Sequence, residues 1–500
     1  MTQVNPRESR LIVLQTGSLN TKAGYVDHLS VPFVSIPSVV AFKPPKPESQ
    51  PAAAGANDAT ASAASTPATA PSFSDKPITA PPPPPASTTT LSVDTTTNPS
   101  SADPTLDVVG QLKVSADENA GSENDVQPTA TSYIAGAKLA ADRDAQEGGL
   151  IRPLQEGVPA DWAALAGLWQ HILLREMPTP INRSRNDWSL LLTVPVNWGK
   201  EDYARATQIM FEELNFLAFW IVEQPLAALY GCNMTTGLVI DIGHETTDIT
   251  PIIDNSIVRY AHKTIPLGGR DVEMYLKRLL LADSVFMGEL GDVELSDDLV
   301  RAIKENVCES TMDRRANLVP QGDDRVPFEY NGKKFTIGAA RYRCPEVLFD
   351  PISTLLEPET SSKTNATTAF LPPCTHAKMG IAEACYLAVT EACEVERRTL
   401  LWDSLLVTGG SSALKGLRQR LDREIMQLVA ASETSNEFQA KEIKWMGMPD
   451  YFTVYKDAPS DVTYLGASIV ARVIFTSSAF TYITKSDYNE MGPAAIYLKA

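Results

Sequence analysis

Apolar residues along the chain fall into two alternating patterns. Unbroken apolar runs, "LIVL" (Leu11 to Leu14), "SLLLTVPV" (Ser189 to Val196), "GLVIDIG" (Gly237 to Gly243) and "SLLVTGG" (Ser404 to Gly410), read as strands buried on both faces. Between them, apolar positions recur every three or four residues. Tyr203, Ala206, Met210, Leu214 and Leu217 mark one amphipathic helix; Leu414, Leu417, Leu421, Ile425 and Leu428 mark another, with Ser411 or Ser412 placed to cap it. Strand and helix in alternation predict an α/β protein.

The pattern stops between residues 44 and 131. That segment is built of Pro, Ala, Ser and Thr, contains five consecutive prolines, and has Phe73 as its sole aromatic residue. It holds too little apolar area to offset the entropy of ordering it, so a disordered insertion is expected there. Patterned sequence resumes on both sides, "VPFVSIPSVVAF" before and "SYIAGAKLAADRD" after.

Two strand ends repeat each other. "VLQTGS" (Val13 to Ser18) and "VIDIGH" (Val239 to His244) share two apolar residues, a polar one, any residue, then Gly and a polar residue, and each is followed by another strand-like run. Both read as tight hairpins, which makes the chain internally duplicated with a cleft between two lobes. Turn N–H groups form an anion-binding concavity, Gly permits close approach, and carboxylates at strand ends hold a metal through water. "TGGSS" (Thr408 to Ser412) would be the third piece, a Gly pair leading into a helix.

Charge and cysteine content narrow the classes. Sixty-one acidic against 43 basic residues give a net charge of −18 with no dense Lys/Arg run, so direct nucleic-acid binding has no electrostatic basis. The six cysteines, Cys232, Cys308, Cys344, Cys374, Cys385 and Cys393, show no metal-ligand spacing and read as core residues of a reducing compartment. "MTQVNPRESRLIVL" is too polar for a signal peptide, and no run of about twenty apolar residues exists to span a membrane. His171, His262 and His376 lie apart without metal spacing, and the acidic stretch 281–300 reads as a solvated face, not a cation loop.

Longer stretches carry a resemblance. "VEQPLAALYGCNMTTGLVIDIG", "LGGRDVEMYL", "IKENVC", "RYRCPEVLF", "LLVTGGSSALKG", "LGASIVA" and "ITKSDYNEMGPAA", in this order and spacing, are similar to the actin family over nearly all of the patterned sequence. The resemblance implies an actin-like, duplicated RNase H-like α/β fold of two lobes around a central nucleotide cleft. Residues 1–43 and 132–231 would form the first lobe, 232–460 the second, and 461–500 would return to the first. "IDIGHETTDITPIID", "MPDYF" and "YITKSDYNEMGPAAIY" are most like a fungal class of actin-related subunits of SWI/SNF- and RSC-type chromatin remodellers, which implies a nuclear location.

Carried over residue by residue, the implied ATP site is only partly kept. Gly17, Ser18, Lys22, Asp241, Gly243, Lys304, Glu305, Gly409 and Gly410 match, as do Gly24 and the water-orienting Gln224. Gln15 replaces an aspartate that helps hold the metal's water shell, and Leu19 replaces a glycine. His244 and Glu245 replace an aspartate and a glycine, Asp248 replaces a histidine, and Ser460 replaces a lysine that packs on adenine. A like charge at ~4 Å costs about 4 kcal/mol at an effective dielectric near 20. Phosphoryl transfer needs a bound cation and an aligned water, so no catalytic residue and no resident cofactor or metal are expected, ATP remaining an optional structural ligand.

By the same resemblance, Tyr230, Val470, Val473 and Phe475 would line a groove between the lobes that takes a helical segment of a remodeller ATPase beside a sister actin-related protein. The insertion falls where actin makes an ordered filament contact, so no homopolymer is expected. Two other readings stay open: a nucleotide-binding actin-like ATPase, and a subunit of another nuclear complex such as a histone acetyltransferase assembly.

Overall fold

Leu11 to Leu14 alternate between two buried layers, which is why an unbroken apolar run forms one strand. Ile12 and Leu14 face one helical layer, Leu11 and Val13 the other. The structure, a computed structural model, describes residues 10–26, 31–42, 133–142, 149–291, 293–312, 324–356, 377–432, 439–455, 458–477 and 481–499. The expected insertion 44–131, with Phe73, and also Cys374 and His376, lie outside the described residues.

In the first lobe, β1 (Leu11–Thr16) and β2 (Asn20–Tyr25) form a hairpin that continues into β3 (Val34–Pro37). A small sheet follows: β4 (Val40–Phe42) lies between β5 (Tyr133–Ile134) and β6 (Leu150–Ile151). Phe42 pairs with Tyr133 across the ladder, so the chain leaves and re-enters the fold at adjoining strand ends. The hairpin of β7 (Leu154–Gln155) and β8 (Val158–Pro159) comes next. Then β9 (Ser189–Val194) and β10 (Ala218–Glu223) extend the main sheet parallel to β1.

The second lobe repeats the plan. β11 (Gly237–Ile242) and β12 (Thr247–Ile253) form the hairpin, β13 (Ser256–Ile257) and β14 (Lys263–Ile265) flank β12, and β17 (Leu405–Thr408) runs parallel to β11. A separate hairpin pairs β15 (Val326–Tyr330) with β16 (Lys333–Ile337). Near the C-terminal end β18 (Ile483–Thr484) pairs antiparallel with β10. The order β18-β10-β9-β1-β2-β3 in one lobe and β13-β12-β11-β17 in the other is the expected duplication.

Helices cover these sheets: α1 (Trp162–His171) and α2 (Lys200–Gln208) in the first lobe, then α3 (Gln224–Gly231) at the junction. The second lobe adds α4 (Gly269–Ala282), α5 (Ser284–Leu290), α6 (Asp297–Val307), α7 (Ile381–Ala392) and α8 (Leu417–Ala431), and α9 (Val462–Thr476) closes the junction. Among the described residues no helix is long and apolar enough to cross a membrane.

Some local expectations are corrected. The helix marked by Tyr203 to Leu217 ends in a wider turn at Ile209–Glu213, and Leu217 is half exposed just before β10, because that strand needs Ala218 to Glu223 for the sheet. Ser411 and Ser412 do not cap α8. Gly416, with φ +75°, starts that helix, and the serines belong to a preceding 3-10 turn. The stretch 281–300 is only partly solvated: Asp283 caps α5 and pairs with Arg325, and Glu289 accepts from Thr336. His171 is buried against Glu176 Oε1 at 2.9 Å. Cys232, Cys308, Cys344 and Cys385 are buried core residues, as expected.

The lobes share α3 and α9. Leu229 of α3 packs with Val239 and Leu406 of the second lobe, while Tyr464, Ala467 and Val470 of α9 pack with Leu11, Val13 and Leu191 of the first. The two helices touch where Gly466 meets Ala227 and Gly231. A Cβ on Gly466 would overlap the carbonyl oxygen of Ala227 and come within 2.8 Å of Gly231 N. Gly466→Ala should therefore cost about 1–3 kcal/mol or more, read as a lower melting temperature. By contrast Gly288→Ala, inside α5 with nothing within 4 Å, should be neutral or gain about 0.5–1 kcal/mol.

Candidate functional site: the cleft between the hairpins

The two hairpins close with the same turn. Gly17 N donates to Asn20 O at 3.1 Å and Gly243 N to Thr246 O at 2.9 Å, and at either glycine a Cβ would sit 2.9 Å from that carbonyl. Their ladders place Gln15 opposite Lys22 and Asp241 opposite Asp248. One cleft of about 270 Å3 gathers Gly17, Ser18 and Lys22 from the first hairpin, Asp241 and Gly243 from the second, Lys304 and Glu305 from α6, and Gly409 and Gly410 beyond β17. Gln15, Leu19, His244, Asp248, Gln224 and Ser460 line it too. A smaller hollow of about 80 Å3 shares Lys304, Glu305 and Gly410 and adds Val272, Leu348, Ala413 and Leu414, an apolar niche of the kind that takes a flat ring. Gly409, at φ +89°, has no room for a side chain against Asp241 and Ile242, and Ser411 Oγ donates to Gly243 O at 2.9 Å, tying this turn to the hairpin.

Three cations at or beside the cleft hold carboxylates of the same chain. Lys22 Nζ is ion-paired with Asp461 Oδ1 and lies 3.5 Å from Ser460 O. Lys304 Nζ meets Glu273 Oε1 at 2.7 Å. Arg270 Nη1 meets Glu245 Oε1 at 3.2 Å, and Glu245 Oε2 accepts the backbone N–H of Glu156 at 2.8 Å. Glu245 is only 4% exposed. Gln224 Nε2 donates to Thr16 O at 3.1 Å, while buried Gln15 Oε1 and His244 Nδ1 find no hydrogen-bond partner among the described residues. Burial pushes the His244 imidazole down to about 4, so it is neutral near pH 7.

Asp241 and Asp248 form the floor. Burial, then the charge of Asp248, push Asp241 up to about 7 against the opposing pull of Lys22. Burial raises Asp248 to about 6, opposed by hydrogen bonds from Thr264 and Thr246. Thr264 Oγ1 donates to Asp248 Oδ1 at 2.5 Å and contacts His262 Nε2 at 3.0 Å, and His262 Nδ1 contacts Thr250 Oγ1 at 3.0 Å. Burial holds His262 near 4, so this is a neutral imidazole in a hydroxyl chain. Among the described residues no cluster of three or more His, Cys, Asp or Glu side chains is arranged for a metal ion.

Of the four residues expected to line a partner groove, Val470 and Phe475 are buried with Leu11, Val13 and Leu191, and the Phe475 ring packs 5.1 Å from that of Tyr482. Tyr230 is partly buried against the same cluster and Val473 is 62% exposed.

Sequence reading missed Asp461, Glu273, Arg270 and the Glu156 amide. Glu156 and Gly157 form the turn between β7 and β8, both at positive φ (+50° and +79°), and in the sequence only Gly157 marks it. Nothing local indicates what that turn touches.

A sequence model described as Actin matches residues 7–288 and 292–500. Among curated relatives the chain is similar to the "SWI/SNF and RSC complexes subunit arp9" of Schizosaccharomyces pombe, 28% identical over 417 residues, covering 70% of this chain and 79% of that protein. It is also similar to actin-related protein 2 of Acanthamoeba castellanii, 26% identical over 350 residues, covering 69% of this chain and 81% of that protein.

The floor carboxylates set a pH dependence. Each holds its proton in the folded state above the ordinary 3.8, so folding takes up protons between about pH 4 and 7 and their contribution to stability falls as pH rises through that window. Asp241→Asn should raise the melting temperature near pH 8, and the gain should shrink toward pH ~5. An equal effect at both pH values would show that Asp241 is not held protonated.

Proposed function

The chain belongs to the actin family, and on that footing we propose that it is a non-filamentous actin-related subunit of a nuclear SWI/SNF- or RSC-type chromatin-remodelling complex. In this reading it binds a helical segment of the remodeller ATPase together with a sister actin-related protein, and it is not itself an enzyme. The likeness to a relative named for those complexes supports the assembly, the location and the class of partner. The Pro/Ser/Thr-rich composition of 44–131 supports a subunit that does not polymerise on its own.

One observation carries the non-enzymatic part: the two lysines that line the cleft already hold carboxylates of the same chain, Lys22 with Asp461 and Lys304 with Glu273, and Arg270 beside it holds Glu245. A polyphosphate would have to displace these partners or lie beside their charge. It would also lie over Asp241 and Asp248, whose negative charge grows as pH rises through about 6 to 7. The apolar niche and the glycine turns fit a base and a close backbone approach. The charged part of the site does not fit a nucleoside triphosphate, and no hydrolytic step is derived through it.

The kept glycine turns favour a second reading, a nucleotide-binding actin-like ATPase. A ligand present at roughly a hundred times its Kd, and bound only by the folded state, adds about 2.7 kcal/mol. Purified protein should show no such rise in melting temperature with Mg–ATP and no steady phosphate release; both together would overturn the proposal in favour of the ATPase. Affinity purification with mass spectrometry should recover a remodeller ATPase and a sister actin-related protein, whereas acetyltransferase subunits would place the chain in the other complex.

A further inference from the structure

The Glu245 carboxylate reaches from the second lobe to the first. It leaves the turn between β11 and β12, accepts the Glu156 N–H from the β7–β8 turn at 2.8 Å, and meets Arg270 at 3.2 Å. The receiving turn is held rigid from its own side. Trp198 Nε1 donates to Gly157 O at 2.9 Å and Asn197 Nδ2 to Glu156 O at 3.3 Å. In a two-residue hairpin turn with both central residues at positive φ, the first N–H points away from the ladder, so the Glu156 amide is a donor that the first lobe itself does not use. A carboxylate bonded to an amide and a guanidinium makes charge-assisted hydrogen bonds, the strong kind, and this one is nearly excluded from water.

A second carboxylate, Asp461, also pairs with a residue of the first hairpin. Asp461 stands at the start of α9, just after Pro459, whose carbonyl accepts from Thr408 Oγ1 of β17 at 3.1 Å. It is therefore anchored on the second lobe and takes Lys22 of the first.

We propose that Glu245 is a built-in anion that latches the cleft: it occupies a two-donor anion subsite formed by the Glu156 amide of the first lobe and the Arg270 guanidinium of the second, and so holds the lobes together with no ligand bound. This rests on the reading that the cleft carries no polyphosphate. The Mg–ATP titration above tests that reading, while the following measurement is made without nucleotide and tests the latch alone.

Amide hydrogen exchange of the full chain, followed in peptides covering Gln155 to Val158, reads the Glu156 N–H directly. Loss of a hydrogen bond to a charged acceptor should speed its exchange about tenfold or more in Glu245→Ala. Glu245→Gln, which keeps an acceptor and the shape, should give a smaller rise and serves if the alanine variant does not fold. Peptides from β11 should be unchanged. Inorganic pyrophosphate should then slow Glu156 exchange in Glu245→Ala, where the donors are vacated, and not in the wild type. Equal Glu156 exchange in all three proteins overturns the latch. Pyrophosphate that protects neither protein, or protects the wild type as strongly as the variant, overturns the anion subsite.

Discussion

The close crossing of α3 and α9 at Gly466 is the contact on which the rest of the molecule depends. Each lobe has its own sheet and its own core, and the two cores meet through these helices. Backbone-to-backbone approach at Gly466, Ala227 and Gly231 leaves no side chain between them. The helices thus act as a thin shared floor, with one face on β1 and β9 and the other on β11 and β17. The position of each hairpin turn over the cleft follows from that floor, because β1 and β11 are the strands packed directly on it.

On this frame the cations at and beside the cleft find partners within the chain. Burial raises the proton affinity of Asp241 and Asp248, while Lys22, Arg270 and Lys304 are each neutralised by a carboxylate.

How much of this was legible in the sequence depends on the range of the interaction. The hairpins at Gly17 and Gly243, the parallel strands at Ser189, Gly237 and Leu405, and the junction of cleft-lining residues from four separate segments follow from local patterns and from matched stretches. Ser411 and Ser412 were misread as a cap because a Gly at positive φ, Gly416, starts the helix instead. Leu217 was assigned to a helix because its spacing fits, although the neighbouring strand claims that segment for the sheet. Val470 and Phe475 pack into the first lobe's core, because which face of a mostly apolar helix is free is not written in its spacing.

By itself the sequence determined the fold family, the duplication and the two glycine turns, since each is a property of a contiguous stretch. Only the tertiary structure decided which partners Lys22 and Glu245 meet. Lys22 and Asp461 are more than four hundred residues apart, and Glu245 meets an amide whose own side chain is irrelevant to the contact. A pairing made by backbone and by distant charge leaves no trace in local periodicity; it exists only once the floor of α3 and α9 has set the lobes face to face.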